Sequence, residues 1–225
     1  MKSSDRVSLV LLLALFVLLD LGAYGQVSNG PLIGFYRTSM EKSLNNDYPA
    51  SQKPVGGIGA GLGYFVGGSL DRTVGFRGEF ILKIRHFSYA FDVISSSGDY
   101  RLTLGSIQIP GMIVLRVHGG LRLMAGPMID IRFIANNGVK GMRYPSEVPI
   151  NWRDSFGSDL KTLGIGYVGG LEYRSSRSIA IALRVEQSVS RLLKEGRGND
   201  ANVVDLGLVI SFDILGRPKA ADPSE

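Results

Sequence analysis

The segment Asn202-Val-Val-Asp-Leu-Gly-Leu-Val-Ile-Ser-Phe-Asp-Ile214, close to the end of the chain, decides the fold class. Every second residue from Val204 to Ile214 is apolar, so these side chains share one face of an extended chain. The opposite face is mostly polar or bare: Asp205, Gly207, Ser211 and Asp213, joined by Val203 and Val209. An alternation with a period of two is typical of a β-strand. Repeated around a closed sheet, it predicts either a soluble barrel with an apolar inside or a membrane barrel with an apolar outside.

Seven further segments alternate in the same way, so the sequence predicts eight strands. The other seven are Pro31–Met40, Val55–Val66, Thr73–Val93, Leu104–Val117, Leu121–Phe133, Leu163–Arg174 and Ile179–Glu186. The connections are long after the odd strands and short after the even ones, which is typical of outer-membrane barrels with periplasmic turns and extracellular loops. We therefore expect an all-β fold, an eight-stranded antiparallel up-and-down transmembrane β-barrel with both termini in the periplasm.

Three local features of this strand pattern are also predicted. The alternation changes phase at His86-Phe87, which indicates a β-bulge or the point where the strand leaves its supporting environment. The polar segment Ser95–Asp99 is expected to be a turn. The longest irregular connection is expected at Ala135–Leu160, which is rich in Asn, Gly, Pro and Ser and holds the single tryptophan of the chain, Trp152.

Charged residues decide which face of the barrel is inside. Opposite the aliphatic face lie eight basic and six acidic side chains: Arg77, Glu79, Lys83, Arg85, Arg116, Arg122, Asp130, Arg132, Glu172, Arg174, Arg184, Glu186, Asp205 and Asp213. The second and sixth predicted strands carry glycine along this same face. An eight-stranded barrel has room inside only for side chains, so bare backbone would make space for long charged groups. On an exposed face these glycines would only weaken the strands. The pattern favours a membrane barrel that encloses a nearly neutral ionic network.

Aromatic residues are predicted to form girdles near the strand ends, as they do at membrane interfaces. The residues in question are Tyr36, Phe76, Phe87, Tyr89, Phe133, Tyr173 and Phe212.

Length, charge and composition exclude several other classes. At 225 residues the chain fits one domain. The net charge of +5 comes from Lys and Arg that are scattered among acids rather than clustered with aromatics, so we expect no nucleic-acid partner. The chain has no cysteine, which excludes disulfides, thiolate metal sites, a cysteine nucleophile and a lipid-modified N-terminal cysteine.

The N-terminus has the pattern of a secretory signal. Lys2 and Arg6 precede the apolar run Val7–Leu19, and Ala23-Tyr-Gly25 places small residues at the two positions that a signal peptidase reads. As an alternative, a membrane anchor is disfavoured because the run is too short to span about 30 Å of hydrocarbon as a helix. We expect residues 1–25 to be a signal peptide, residues 26–214 to be the barrel and residues 215–225 to be a C-terminal periplasmic tail.

Catalytic and ligand-binding motifs are weak or missing. The glycines of Gly56–Gly63 repeat with a period of two and fit no G-x-G-x-x-G register, so they indicate a strand face rather than a phosphate loop. No three carboxylates have the spacing of a metal site, and we expect neither a metal nor a cofactor. His118 is expected in a short turn. His86, beside Ser88, leaves open an outer-membrane hydrolase, although no carboxylate partner is evident.

Short strand motifs resemble those of a known family. Ser106-Ile-Gln-Ile-Pro-Gly-Met112 and Leu123-Met-Ala-Gly-Pro-Met128 resemble a strand pair of the PorT-like outer-membrane β-barrel proteins, which are common in Bacteroidetes. The segments Leu163-Gly-Ile-Gly166 and Leu206-Gly-Leu-Val-Ile-Ser-Phe212 are similar as well. The resemblance implies an outer-membrane barrel. Because the namesake is implicated in type IX secretion, it also implies a role as a secretion accessory.

These observations leave three hypotheses for the function. The first is a non-enzymatic outer-membrane scaffold or accessory that presents the Ala135–Leu160 loop outside and contacts secretion or envelope-assembly proteins. Its other expected partners are outer-membrane lipid and, during biogenesis, the barrel-assembly machinery. The second is an outer-membrane hydrolase that uses His86, and the third is a secreted soluble barrel that binds an apolar ligand. A general diffusion pore is disfavoured because aqueous channels need about sixteen strands.

Overall fold

The computed structural model describes residues 27–40, 56–93, 96–143, 149–155, 161–175, 178–190 and 202–214. These residues form nine strands: β1 (Val27–Met40), β2 (Gly56–Ser69), β3 (Val74–Val93), β4 (Ser96–His118), β5 (Leu121–Arg143), β6 (Pro149–Ser155), β7 (Leu163–Arg174), β8 (Ile179–Ser188) and β9 (Val203–Phe212). No helix among the described residues is long and apolar enough to cross a membrane.

Eight of the strands close into an antiparallel barrel. Each of β1 to β4 pairs with the next strand along the chain, β5 then pairs with β7, and β7, β8 and β9 follow in order. The ring closes where β1 pairs with β9, with Phe35 opposite Leu208. The expected closed eight-stranded antiparallel barrel is confirmed. The ninth strand, β6, lies outside the ring and pairs with the far end of β5.

The Ala135–Leu160 segment differs from the expected irregular loop. Its first part continues β5 as far as Arg143, and β6 pairs with this extension from Asn136 opposite Ser155 to Arg143 opposite Pro149. The expectation was wrong because a strand that is paired beyond the barrel wall needs no apolar face, so the alternation that marks the other strands is absent here. Residues 144–148 and 156–160 lie outside the described residues.

The Ser95–Asp99 segment and the bulge at His86-Phe87 also need correction. Strand β4 begins at Ser96, and it pairs with β3 in one unbroken register up to Val93 opposite Ser96. The pattern changes at Phe87 because this side chain points into the barrel, where it is buried together with Leu102 and Leu104. The inward-facing side chains of β3 therefore change from charged to apolar at Phe87, whereas the strand pairing is unchanged.

A register shift instead lies between β4 and β5. Gly105 faces Ile134 whereas Ser106 faces Arg132, which leaves Phe133 as the additional residue on β5. Phe133 and Ile134 are both exposed on the outside of the barrel. A β-bulge increases the local twist and helps a sheet to curve into a barrel.

The β2–β3, β4–β5 and β7–β8 connections lie at the same end of the barrel, which we call the short-turn end. Between β2 and β3, the Asp71 carboxylate accepts hydrogen bonds from the backbone N–H groups of Val74 and Thr73, each at 2.6 Å, and these donors hold the pKa of Asp71 below its ordinary value. Between β4 and β5, Gly119 and Gly120 adopt positive φ angles of 55° and 97°, which glycine adopts without strain. These two turns fix β2–β3 and β4–β5 as tight hairpins.

The two faces of each strand differ sharply in exposure. In β9, Leu206, Leu208 and Phe212 are exposed on the outside, whereas Asp205 and Ser211 are buried inside. The same alternation runs along β8 without a break. The apolar face is therefore the outer one, which is the reverse of a soluble barrel with an apolar inside.

The aromatic residues divide between the two faces, contrary to the predicted girdles. Phe133, Tyr173 and Phe212 are exposed on the outside, but Tyr36 and Phe87 are buried inside the barrel. The side chain of Tyr89 lies outside the described set. Tyr36 was misplaced because its neighbour Phe35 is also aromatic, so the sequence alone does not show which of the two faces outward.

Candidate functional site

The charged residues predicted for the lumen lie inside the barrel, and we call them the interior ionic network. Six of the eight strands of the ring contribute to it, and only β1 and β2 carry none of these residues. Most are buried, and three near the short-turn end are half-buried: Arg116, Arg122 and Arg174. The ion pairs of the network form two chains, in each of which neighbouring pairs share a side chain, and one separate pair.

The first chain of ion pairs is built around Glu79. Arg184 donates to both of its carboxylate oxygens, at 2.5 and 2.7 Å, and Arg77 Nε donates to Oε1 at 2.5 Å. Arg77 also reaches Glu172 at 2.5 Å, and Glu172 accepts from Arg122 at 3.2 Å. The two-pronged contact from Arg184 is the arrangement in which guanidinium and carboxylate groups bind most strongly. It ties β3 to β8 across the lumen.

The second chain is built around Lys83 and Asp205. Lys83 Nζ donates to Glu186 and to Asp205, each at 2.7 Å, and Arg85 Nε donates to Asp205 at 2.9 Å. The side-chain amide of Gln108 satisfies both of its neighbours when its nitrogen faces Glu186 and its oxygen faces Arg85. In that orientation it donates to Glu186 at 3.0 Å and accepts from Arg85. Lys83 is fully buried, so these contacts supply the partners that a buried ammonium group requires.

Arg132 and Asp130 continue this chain toward the end of the barrel opposite the short turns. Arg132 Nε donates to Asp130 at 2.9 Å, and its Nη2 donates to Ser188 at 2.9 Å. Asp130 lies 4.0 Å from Arg85, and that contact joins it to the Lys83 group. The chain therefore crosses the lumen from β5 to β9.

The remaining charged residues lie at the short-turn end. Arg174 and Asp213 form a pair at 3.2 Å. Arg116 donates to Ser69 Oγ and, at 3.3 Å, to the backbone carbonyl of Arg72.

Glycines make room for this network, but only in part. A Cβ atom at Gly164 would lie 2.6 Å from Arg132 Nη2. One at Gly170 would collide with the backbone carbonyl oxygen of Leu183 and would also lie 3.1 Å from Arg184 Cγ. Gly207 instead faces the ring of Tyr36, where an added Cβ would lie 2.6 Å from two ring carbons. The inward-facing glycines thus leave space for a buried tyrosine as well as for the charged groups.

Sequence reasoning missed the apolar half of the interior. One continuous cluster of buried side chains packs beside the ion pairs: Leu32, Tyr36, Phe65, Ile81, Met112, Val114, Met124, Val168, Ala182 and Val209. Two cations lie over its rings, with Lys83 Nζ 3.3 Å from the ring centre of Tyr36 and Arg77 4.2 Å from that of Phe65. One residue of the sequence did indicate this apolar part of the interior: Val209 is apolar but lies on the otherwise polar face of the last strand. The interior is therefore a packed core of mixed chemistry.

The residues considered for catalysis are not brought together. His86 points outward from β3, and its Nδ1 lies 2.9 Å from the hydroxyl of Thr103. Within the described ranges, no group of three His, Cys, Asp or Glu side chains could hold a metal ion. His118 is exposed at the end of β4. The interior network therefore remains the most densely built polar site in the described part of the chain.

These features define a class of protein: a closed eight-stranded antiparallel barrel with an apolar outside and a lumen filled by ion pairs. No protein-family model matches the chain, and no curated protein matches it. Among solved structures, it is similar to Neisserial surface protein A, with a TM-score of 0.50 at 9% identity over 83% of this chain and 98% of that one. That likeness shows the same fold.

Two further solved structures are more distant. Ail, the attachment invasion locus protein of Yersinia pestis, has a TM-score of 0.44 at 14% identity, over 84% of this chain and 99% of its own. The outer membrane protein OprG of Pseudomonas aeruginosa has a TM-score of 0.33 at 9% identity, over 83% of this chain and 93% of its own.

Proposed function

We propose that this protein is an integral outer-membrane β-barrel that acts as a non-enzymatic scaffold or accessory in protein secretion or envelope assembly. The observation that carries the proposal is the pairing of an apolar outer wall with a lumen filled by ion pairs. Such a barrel satisfies its backbone groups internally and presents hydrocarbon-like side chains to its surroundings, as a membrane-spanning sheet must.

The outer wall supports the membrane location. Ile33, Leu62, Leu82 and Ile107 are neighbours across β1 to β4, and the side chains of Leu62 and Leu82 are 63% and 47% exposed. The belt continues around the ring through Leu183 and Leu208 on β8 and β9. Contiguous apolar surface of this extent is rare on soluble monomers and marks contact with a membrane or a partner.

The unequal strand lengths support a role in presenting a surface. Strands β4 and β5 each have 23 residues, whereas β8 and β9 each have 10. A tilted strand of about 9–11 residues spans the hydrocarbon, so β4 and β5 project beyond it, away from the short-turn end. Together with β6 and the end of β3, which pairs with β4 up to Val93 opposite Ser96, they form a sheet that we call the projecting sheet. It is the surface that we assign to secretion or envelope partners.

The motifs that resemble PorT-like proteins are neighbours in the barrel wall. The Ile109-Pro110 step of β4 lies opposite Ile129 and Met128 of β5. A side chain at Gly126 would collide with the backbone carbonyl of Gly111 on the paired strand. Glycine at this position therefore permits the close approach of β4 and β5. The secretion role in the proposal derives from the resemblance of these motifs to the PorT-like family.

The experiment is a pull-down from detergent-solubilised outer membranes, with the captured proteins identified by mass spectrometry. The full-length protein is compared with a variant in which residues 137–155 are replaced by a short Gly-Ser loop. We expect both proteins to fold and to reach the outer membrane, but only the full-length protein to retain specific envelope or secretion proteins. Equal capture by both would remove the projecting sheet as the binding surface, and recovery of the protein in the soluble periplasm would overturn the proposal.

A further inference from the structure

An apolar groove lies on the outer wall of the barrel, toward the end that carries the projecting sheet. Its volume is about 590 Å3, which is within the range of roughly 300–1,000 Å3 that is usual for ligand pockets. Phe35 of β1 and Ile84 of β3 form its two sides, and Ala60 of β2 lies between them in the same row of the sheet. All three side chains are exposed. The groove is deepest at Ala60, because a short side chain stands there between two long ones.

Two basic side chains line one end of the same groove. Arg37 of β1 and His86 of β3 lie on either side of Ile58 of β2, in a single row across the three strands. Neighbouring strands lie about 4.8 Å apart, so the backbones of Arg37 and His86 are separated by about 10 Å. A single anion above Ile58 would therefore lie within reach of both side chains.

The row of Arg37 and His86 lies where the outer wall changes from apolar to polar. On β3 the next outward residues toward the short-turn end are Ile84 and Leu82, and the next one in the other direction is Ser88. On β1 the outward residues change in the same way, from Phe35 to Ser39. Lipid headgroups begin where the apolar belt of a membrane barrel ends. The two basic groups are thus at the level of the headgroups, and the groove reaches from them into the hydrocarbon.

The sheet places no acidic side chain directly beside either basic group. Arg37 lies between Ile58 and Leu206, and His86 lies between Ile58 and Thr103. His86 Nδ1 lies 2.9 Å from the Thr103 hydroxyl. An anion at Nε2 would favour the form of the ring in which Nδ1 accepts from this hydroxyl and Nε2 donates. The row therefore offers an arginine and an imidazole N–H to an acceptor that comes from outside the barrel.

We propose that this groove binds one anionic lipid, with its phosphate between Arg37 and His86 and one acyl chain over Ala60. The inference rests on the membrane location in the proposed function. A guanidinium group matches the oxygens of phosphate in charge and geometry, and basic side chains at the membrane surface attract anionic headgroups. The occupant is a lipid rather than a free anion because the apolar part of the groove adjoins the basic row.

The experiment measures, by native mass spectrometry, the lipid that the purified full-length protein retains from a neutral detergent. The probes are phosphatidylglycerol and a diacylglycerol with the same acyl chains but no phosphate. We expect the wild type to retain one phosphatidylglycerol in preference to diacylglycerol. Arg37→Gln should weaken this retention by about fivefold, the loss expected for one basic residue near an anionic surface, and His86→Phe should also weaken it. The matched control is Lys161→Gln, which changes an exposed basic residue just before β7 and should leave retention unchanged.

A second pair of variants tests the groove without changing any charge. Ala60→Phe fills the space between Phe35 and Ile84, so it should reduce the retention of phosphatidylglycerol although both basic groups are still present. Ala125→Phe is its control, because Ala125 is also exposed on the outer wall but lies on β5, outside the groove. The slower migration of boiled samples on a gel verifies that each variant is folded.

The proposal is overturned if the wild type retains the two lipids equally or retains neither, or if either Arg37→Gln or Ala60→Phe retains phosphatidylglycerol as the wild type does. A dimer that carries no lipid and that Ala60→Phe dissociates would assign the groove to a second copy of the chain, which also overturns it. A protein that is recovered from the outer membrane but retains neither probe loses only this site. Recovery from the soluble periplasm would overturn the proposed function as well.

Discussion

At the scale of single residues, the inside of this barrel depends on a few buried side chains that each hold several others. Glu79 accepts two hydrogen bonds from Arg184 and one from Arg77, and the three side chains are almost fully enclosed. Tyr36 lies against Gly207 and beneath Lys83. A change at either residue therefore affects groups that come from distant parts of the chain.

Glu79→Gln should destabilise the barrel strongly. The substitution keeps the size of the side chain but leaves Arg184 without the carboxylate that it binds, and Arg77 keeps only Glu172. Breaking a buried pair in this way typically costs about 3–5 kcal/mol. Urea titration of the protein in lipid vesicles, with the folded fraction measured by gel migration, gives the free energy of unfolding. The double variant Glu79→Gln, Arg184→Gln should lose less than the sum of the two single changes. Strict additivity would show that the two groups do not interact.

Gly207→Ala should destabilise by overpacking. Its new methyl group would lie 2.6 Å from two carbons of the Tyr36 ring, and Gly34 and Gly61 already hold that ring from other sides. Overpacking of this kind costs about 1–3 kcal/mol. Gly111→Ala is the control, because a methyl group there would meet no atom within 4 Å. The same urea titration should separate the two variants, and an equally stable Gly207→Ala would show that the ring has space to move.

At the scale of the strand, the membrane-facing alternation is the signal that could be read from sequence. In β9, every second residue is apolar because a hydrocarbon environment tolerates nothing else, and the predicted faces are the observed ones. Outside the hydrocarbon this constraint ends, so β6 and the far end of β5 gave no recognisable pattern.

Partners across the lumen could not be predicted from the sequence either. Alternation places Glu79 and Arg184 inside, but it does not tell which strands face each other at which height. That depends on the stagger of the whole barrel. The inward direction of Tyr36 and Phe87 was missed for a related reason, since it follows from the space that neighbouring strands leave.

Leu208→Arg tests the outward face of β9 at mid-strand. Leu208 is exposed and lies between Phe35 of β1 and Leu183 of β8. An arginine on the lipid face near the bilayer midplane should cost roughly 2–4 kcal/mol and should impair assembly. Val204→Arg, on the same face of β9 but near its end, should cost only about 0–1 kcal/mol, because the penalty falls toward the interface. If Leu208→Arg is as stable as Val204→Arg, this wall does not face lipid.

At the scale of the whole molecule, the structure is a closed ring whose two ends differ. One end carries tight turns with Asp71 and Gly119-Gly120, and the other carries the projecting sheet. Between them, ion pairs and apolar side chains fill the lumen. Stability and permeability are therefore properties of the ring as a unit rather than of any one hairpin.

The mature protein should fractionate with the outer membrane and should migrate faster on an SDS gel when it is unboiled. A closed barrel whose strands are all paired resists unfolding by detergent, so the unboiled form stays compact. Cell fractionation and paired boiled and unboiled lanes measure both properties. Identical migration in the two lanes would contradict a barrel that remains closed in detergent.

The barrel should also be closed to solutes. The Lys83 and Glu79 groups join opposite walls, and the buried apolar cluster fills the space beside them, so the purified protein should show no large, stable conductance in planar bilayers. Steady porin-like channels that disappear when Arg132 or Asp130 is changed would instead indicate a transport protein.

The long reach of these ion pairs also imposes an order on how the protein is made. Arg77 and Glu79 emerge together on β3 and bind each other. Their further partners and those of Lys83 follow much later: Glu172 is 95 residues beyond Arg77, Arg184 is 105 beyond Glu79 and Asp205 is 122 beyond Lys83. Until then the early strands carry unmatched charges that hydrocarbon will not accept. We therefore expect the first half of the chain to stay outside the lipid until the second half is available, so that the barrel inserts in one late step once β9 has arrived.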